Sequence, residues 1–263
     1  MDDGKTTITK REVPAVTRAV ALLRRLGRSD EPMGVNQLAR ELKLVPSTVL
    51  HILRVLQDEG LVSFDPDTKR YSIGLGILAL ARSAIQKNSF PALVQPHLTE
   101  LSERFAVTCL ATEMLGPSHM IVVALSQSSV PFRLQVDLGS RFPALISATG
   151  RCFAAFNSLN PQDLEPDFKR LSWDQPPVFE TWLEQVSEAR LRGYAIDSGS
   201  YISGVTVVAV PFFDAHQRMN RSLVAIGISD RVEAAGLPEL TRCLLEARDQ
   251  VSALQITTKG SAR

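Results

Sequence analysis

Residues 44–60, LVPSTVLHILRVLQDEG, constrain this chain more than any other stretch. Apolar side chains at Val49, Ile52, Leu53 and Leu56 follow the i, i+3, i+4, i+7 spacing of one helix face. Pro46 suits a first helical turn, where its missing N–H costs nothing, and Gly60 suits the position just past a helix end. The opposite face carries Ser47, Leu50, His51 and Arg54, with no acid before Asp58. Acids stabilise helix N-termini and bases C-termini, so this arrangement runs against the helix dipole. A helix shaped by stability alone would place its charges the other way, and its acid-free front asks for a partner.

The flanking segments supply a context. Residues 14–30 predict a helix with Pro14 in its first turn and Val16, Ala19, Val20, Leu22, Leu23 and Leu26 on its apolar side. Residues 34–44 predict a short second helix with Leu38, Ala39 and Leu42 inward. After Gly60, LVSF, DPDTKR and YSIG read as a β-hairpin with Lys69 and Arg70 near its tip. Three helices and a charged hairpin form a winged helix-turn-helix, whose third helix enters the major groove of DNA. On that reading the DNA-facing residues are Pro46, Ser47, Thr48, Leu50, His51 and Arg54, with Lys69 and Arg70 on the wing. Ser47 and Thr48 hydrogen-bond bases or phosphates, Leu50 packs on a thymine methyl, and His51 and Arg54 donate to base edges or phosphate. Between residues 10 and 57 there are nine basic residues against four acidic ones, on a chain of net charge +1. A basic module on a neutral protein points to a local polyanion contact.

The same run, from PAVTRAVALLRRL through IGLGILALA, resembles the DNA-binding half of the IclR-type (isocitrate lyase regulator) transcription factors. The resemblance continues through ISATGRCFAAF, RLRGYAIDSGSYISGVTVVAVPFFDA and the last helix, covering nearly all of residues 13–255. It implies an α+β protein with an N-terminal winged helix-turn-helix and a C-terminal GAF-like effector-binding domain. The expected divisions are a flexible tail over 1–12, the DNA-binding domain over 13–75, a linker helix over 76–88, the GAF-like domain over 89–257 and a tail over 258–263. In the linker, Leu78, Ala81 and Ile85 lie along one seam suited to a dimer contact. Departures from the family pattern matter. Pro46 stands where a basic residue is common, and Leu50-His51 where His-Arg is common, which implies an unusual operator.

In the second half, VTCLATEM, HMIVVALSQ, FRLQVDLG, YAIDSG, GVTVVAVPFF and RSLVAIGIS read as strands. Residues 91–105, 148–159, 179–193 and 237–254 read as helices. Strands and helices interleave without a βαβ alternation, hence α+β. SATG precedes the helix RCFAAF, so the N–H groups of Thr149, Gly150 and Arg151 are expected to face an anion. The family resemblance adds Asp197, Val207, Gly227 and Ser229 to this effector site and a small organic acid as its ligand. Val207 stands where many members have Cys, Gly227 where many have Ser, and Ser200 replaces a frequent acid. These changes predict a roomy, apolar pocket suited to an aromatic or longer acyl acid. The ligand would carry a hydroxyl to satisfy an unpaired Asp197.

No G-x-S-x-G, P-loop, G-x-G-x-x-G or H-E-x-x-H motif is present, and His51, His97, His119 and His216 are scattered. No catalytic residue, metal ligand or cofactor is therefore expected. Cys109, Cys152 and Cys243 fit neither a disulfide framework nor a zinc pattern, which points to a reducing cytoplasm. Cys109 and Cys152 read as core. No apolar run approaches the roughly 20 residues that span a bilayer, and the polar N-terminus lacks a signal-peptide core. The expected function is a cytoplasmic, non-membrane regulator that binds a pseudo-palindromic double-stranded operator as a homodimer or tetramer. Its alternatives are a GAF-fold small-molecule enzyme with an N-terminal docking module, and an effector-independent DNA-binding protein.

Overall fold

The computed structural model describes residues 13–127, 136–157 and 159–260. The chain divides between Asn88 and Ser89 into two compact units.

The first unit comprises helices α1 (Pro14–Leu26), α2 (Val35–Glu41), α3 (Pro46–Asp58) and α4 (Gly76–Lys87), with strands β1 (Val62–Asp65) and β2 (Arg70–Ile73) forming an antiparallel hairpin. Its core is the predicted stripe: Leu22 and Leu26 of α1, Leu38 and Ala39 of α2, and Val49, Leu53 and Leu56 of α3. Met33 extends the hairpin, exchanging two 2.8 Å backbone hydrogen bonds with Tyr71. The turn between α2 and α3 closes with Leu44 N–H donating to Ala39 C=O at 2.9 Å, which places Lys43 at φ +54°. Arg25 of α1 pairs with Glu41, the last residue of α2. Where β2 leaves the wing it crosses the end of α3 so closely that a Cβ on Gly74 would lie 2.3 Å from Gly60 O. Only glycine permits that crossing.

The second unit is one six-stranded antiparallel sheet ordered β5-β4-β3-β8-β7-β6. Its strands are β3 (Thr108–Leu115), β4 (His119–Gln127), β5 (Arg141–Pro143), β6 (Ala195–Ser198), β7 (Val205–Phe213) and β8 (Met219–Ile228). One face packs on α5 (Phe90–Phe105), α9 (Ser229–Ala235) and α10 (Leu237–Gly260). The other packs on α6 (Ser147–Phe156), α7 (Pro161–Phe168) and α8 (Phe179–Arg192). Alternation along β7 divides the cores: Val208, Val210 and Phe212 join the α5/α10 side, while Val205, Val207 and Ala209 join the α6/α8 side. A strand buried on both faces reads as a continuous apolar run, as VTVVAV does.

Some expectations need correcting. Two short helices were not expected, α7 and α9. Each buries few side chains, Leu164 and Phe168 in α7 and Val232 in α9, so neither shows a helical apolar stripe. The strand expected over 132–139 falls partly outside the described residues; 136–139 are not in a strand, and the edge strand lies at Arg141–Pro143. α10 runs to Gly260, so 258–260 are helical rather than tail. The remaining tail residues, 1–12 and 261–263, lie outside the described residues. No helix among the described residues is long and apolar enough to cross a membrane.

Candidate functional site

α3 buries Val49, Leu53 and Leu56 and turns Pro46, Ser47, His51 and Arg54 to solvent. Thr48 and Leu50 are half-buried at the margins of that face. Its first turn is free of acid, so the positive end of the helix dipole is unopposed where base-reading residues of such helices sit. Val45, just before Pro46, adds an exposed apolar side chain. On the wing, Asp65 accepts from Asp67 N–H at 2.9 Å and from the Thr68 hydroxyl at 2.6 Å. These bonds, the hydroxyl's first, hold the Asp65 carboxyl below its ordinary range. The turn they fix sets Lys69 at φ +54° on the exposed tip. Arg70 departs from expectation in part: its Nη1 donates to Pro32 C=O at 3.2 Å, bracing the wing.

In the second unit the expected effector residues separate. α6 begins one turn earlier than the sequence suggests. Gly150 N–H already donates to Ile146 C=O at 2.8 Å, so the N–H groups without an i−4 carbonyl belong to Ser147, Ala148 and Thr149. Gly150 and Arg151 therefore present no free backbone donor. A Cβ on Gly150 would sit 2.0 Å from Leu145 C and O, so this glycine serves the chain's own close approach. Arg151 is buried, with side-chain exposure of 2%, and its Nη1 donates to Asp197 Oδ2 at 2.7 Å. Its Nε donates to Gln185 at 2.7 Å. Asp197 Oδ1 accepts from the backbone N–H groups of Ser200 and Tyr201 at 3.0 and 3.2 Å. Both Asp197 oxygens are thus bonded within the protein, and its charge is paired.

Thr149 and Val207 do line a common cavity, of about 50 Å³, between the first turn of α6 and the sheet. Leu110, Met120, Phe142, Ile146, Val224 and Ile226 give it apolar walls, and Thr112, Ser147 and Tyr201 add hydroxyls. Gly227 and Ser229 lie on the other side of the sheet. The missing Gly227 Cβ would meet Val232 at 2.6 Å and Val107 at 3.0 Å. Ser229 accepts from the Thr206 hydroxyl at 2.9 Å. Gly227 therefore adds no room to the cavity, and the expectation of a roomy pocket fails on strand alternation.

The residue missed by sequence reasoning is Ser147. It opens α6 at φ +58°, a strained value for a residue with a Cβ. Its hydroxyl is buried without a hydrogen-bond partner among the described residues. Strain and an orphaned polar group thus coincide at one cavity wall. Tyr201 opposite has its phenol held above the ordinary range by burial and then by Asp174, so it stays protonated as a donor. Thr112 is partly spoken for, sharing a 2.6 Å hydrogen bond with Ser222. Cys152 of α6 is core: burial pushes its thiol up to about 12.

Comparison with known proteins agrees with this geometry. Residues 15–66 match the model of the IclR helix-turn-helix domain, and residues 82–253 match that of the bacterial transcriptional regulator IclR C-terminal domain. The glycerol operon regulatory protein of Streptomyces griseus is 27% identical, with 85% of this chain and 87% of that protein covered. The transcriptional repressor IclR of Escherichia coli is 22% identical over 92% of this chain and 89% of that one. A solved transcriptional regulator from Alicyclobacillus acidocaldarius superposes with a TM-score of 0.75 at 26% identity, covering 92% of this chain and 99% of that one. With both domain models matched in order along a chain that folds as they require, the protein belongs to the IclR family of bacterial transcriptional regulators.

Proposed function

We propose that this protein binds a pseudo-palindromic operator as a homo-oligomer, and that a compact organic acid in the cavity beneath α6 modulates that binding. The observation that carries the effector reading is the orphaned hydroxyl of Ser147, beside the N–H groups of Ala148 and Thr149. A carboxylate seated there accepts from both kinds of donor at the positive end of α6. A volume of about 50 Å³ and the apolar walls favour a short, branched monocarboxylate. The bonding of Asp197 removes the reason for a hydroxylated aromatic acid.

Pairing of two winged helices follows from specificity, since one such module makes too few base contacts to select a site among many competitors. Leu78 and Ile85 of α4 support pairing through the linker, being 63% and 69% exposed in the single chain. Ser47, Leu50 and His51 read bases, and Lys69 contributes phosphate contacts.

The test is fluorescence anisotropy on an operator selected from random duplexes, with and without isobutyrate, pyruvate or benzoate. One acid should change affinity by about 5–150-fold, the range of ordinary coupling energies. His51→Ala should relax preference at one position at a cost of roughly 1–3 kcal/mol. Lys69→Ala should weaken all sequences alike and lower the salt slope by about one. A change of preferred sequence with Lys69→Ala, but not with His51→Ala, would overturn the assignment of α3.

A further inference from the structure

A second cavity of about 240 Å³ lies on the α8 side of β6, the edge strand of the sheet, and is separate from the apolar one. Its character is the opposite: Arg151, Gln185, Arg192, Ser198 and Ser200 line it, with Glu188 as the acidic side chain. Arg151 spends Nε on Gln185 and Nη1 on Asp197. Its Nη2 has no hydrogen-bond partner among the described residues, although the side chain is only 2% exposed. Gln185 spends its carbonyl on Arg151 and leaves its amide N–H groups unused among the described residues. Arg192 is held by Glu188 at 3.5 Å, and both side chains are more than half exposed. Such a pair contributes little and exchanges partners readily.

Donors therefore outnumber acceptors, and the pattern calls for a ligand rich in acceptors. Arg151 Nη2 and the Gln185 amide are placed to hold an oxyanion, because charge-assisted donors in a buried position bind such groups most strongly. Ser198 and Ser200 suit hydroxyl groups carried by the same molecule. We propose that this cavity is a second binding site, for a small hydroxylated oxyanion: a carboxylate or phosphate on a polyhydroxylated body. Arg151, which lines it, pairs with Asp197. Asp197 in turn holds the N–H of Tyr201, which lines that apolar cavity. An occupant that draws on Arg151 is thereby linked to the wall of the other site.

The experiment is calorimetric titration of the full chain with glucuronate, glucose 6-phosphate and inorganic phosphate, repeated for Arg192→Ala, Ser200→Ala, Gln185→Ala and Glu188→Gln. Thermal melting checks that each variant folds; Arg192 and Ser200 lie outside the buried pair, so their variants remain informative if Gln185→Ala does not fold. Saturable binding of glucuronate identifies the carboxylate form, and of glucose 6-phosphate the phosphate form. Arg192→Ala and Gln185→Ala should each weaken binding by about five-fold, the loss of one hydrogen bond. Glu188→Gln should tighten binding by removing a like charge. Absence of saturable binding by both sugar derivatives overturns the proposal. So does inorganic phosphate binding as tightly as either, or affinity indifferent to Arg192→Ala and Ser200→Ala. Readout is on the protein without DNA, so failure here leaves the α6 cavity and its effector untouched.

Discussion

Ser147→Gly is expected to stabilise the free protein and weaken its response to an organic acid. At φ +58° the serine Cβ costs roughly 1–2 kcal/mol, which glycine removes. The buried, unpartnered hydroxyl costs a further ~1–3 kcal/mol when no ligand is bound. Against these, glycine adds unfolded-state entropy worth about 0.5–1 kcal/mol. The net is a gain of about 1–4 kcal/mol, each kcal/mol raising Tm by roughly 2–4 °C for a unit of this size. The same change deletes a donor to the carboxylate, so affinity should fall about 2–10-fold. Ser147→Ala separates the contributions: it removes the hydroxyl and keeps the strained φ, so it should be about 1 kcal/mol less stable than Ser147→Gly. Urea unfolding gives the stabilities, and melting with saturating isobutyrate, pyruvate or benzoate gives the ligand effect. A ligand at 100 times its Kd stabilises wild type by about 2.7 kcal/mol. A lower Tm for Ser147→Gly refutes the strain argument. Higher stability with undiminished affinity for the acid that binds wild type refutes the role of the hydroxyl.

Gly150→Ala should destabilise the second unit by about 3 kcal/mol, the upper end of overpacking costs, in urea unfolding, because its Cβ would overlap Leu145 backbone at 2.0 Å. Asp197→Asn should cost about 3–5 kcal/mol by leaving the Arg151 charge buried without a counter-charge, and restoring the loss with Arg151→Met in the same chain would identify the pair as the cause. On the α10 side, hydrogen bonds from Arg242 and the nearby Arg104 lower the Glu239 carboxyl from its ordinary 4.5 to about 2. A depressed carboxylate contributes stability above pH 4.5 and loses it as pH falls toward 2, so Glu239→Gln should flatten the unfolding free energy across that window and leave its slope at neutral pH unchanged.

The first unit was legible because its signals are local. Val49, Leu53 and Leu56 fall on one stripe, Gly60 ends the helix and the Asp-Pro turn follows, and each needs only its neighbours in sequence to be interpreted. The second unit was legible as elements and not as faces. β7 and β8 are buried on both sides, so VTVVAV and LVAIGI carry no polar alternation to tell one face from the other. Val207 and Gly227 both read as pocket residues, yet one faces α6 and the other faces Val107 and Val232. A period of two makes neighbouring residues opposite in direction, and only the paired register, Val207 with Ile226 and Thr206 with Gly227, assigns the sides.

Ser147 escaped notice for a related reason. Helix starts are read from a capping side chain, and here Ile146 holds the cap position with no side-chain hydrogen bond to give. The serine one residue later looks like an ordinary helical residue until its φ and its orphaned hydroxyl are known. The charged residues misled in the opposite sense. Asp197 and Arg151 are 46 positions apart, and each alone suggested a ligand contact. Paired, they take up Asp197 Oδ2 and Arg151 Nη1, and Asp197 Oδ1 adds two backbone N–H groups from the segment that carries Tyr201. The pair therefore joins α6, which begins at the orphaned serine, to the loop that closes the same cavity. On the proposed reading, a carboxylate at the first turn of α6 would work against a fixed buried anchor one turn further on, and a ligand of a few heavy atoms would act on two elements at once.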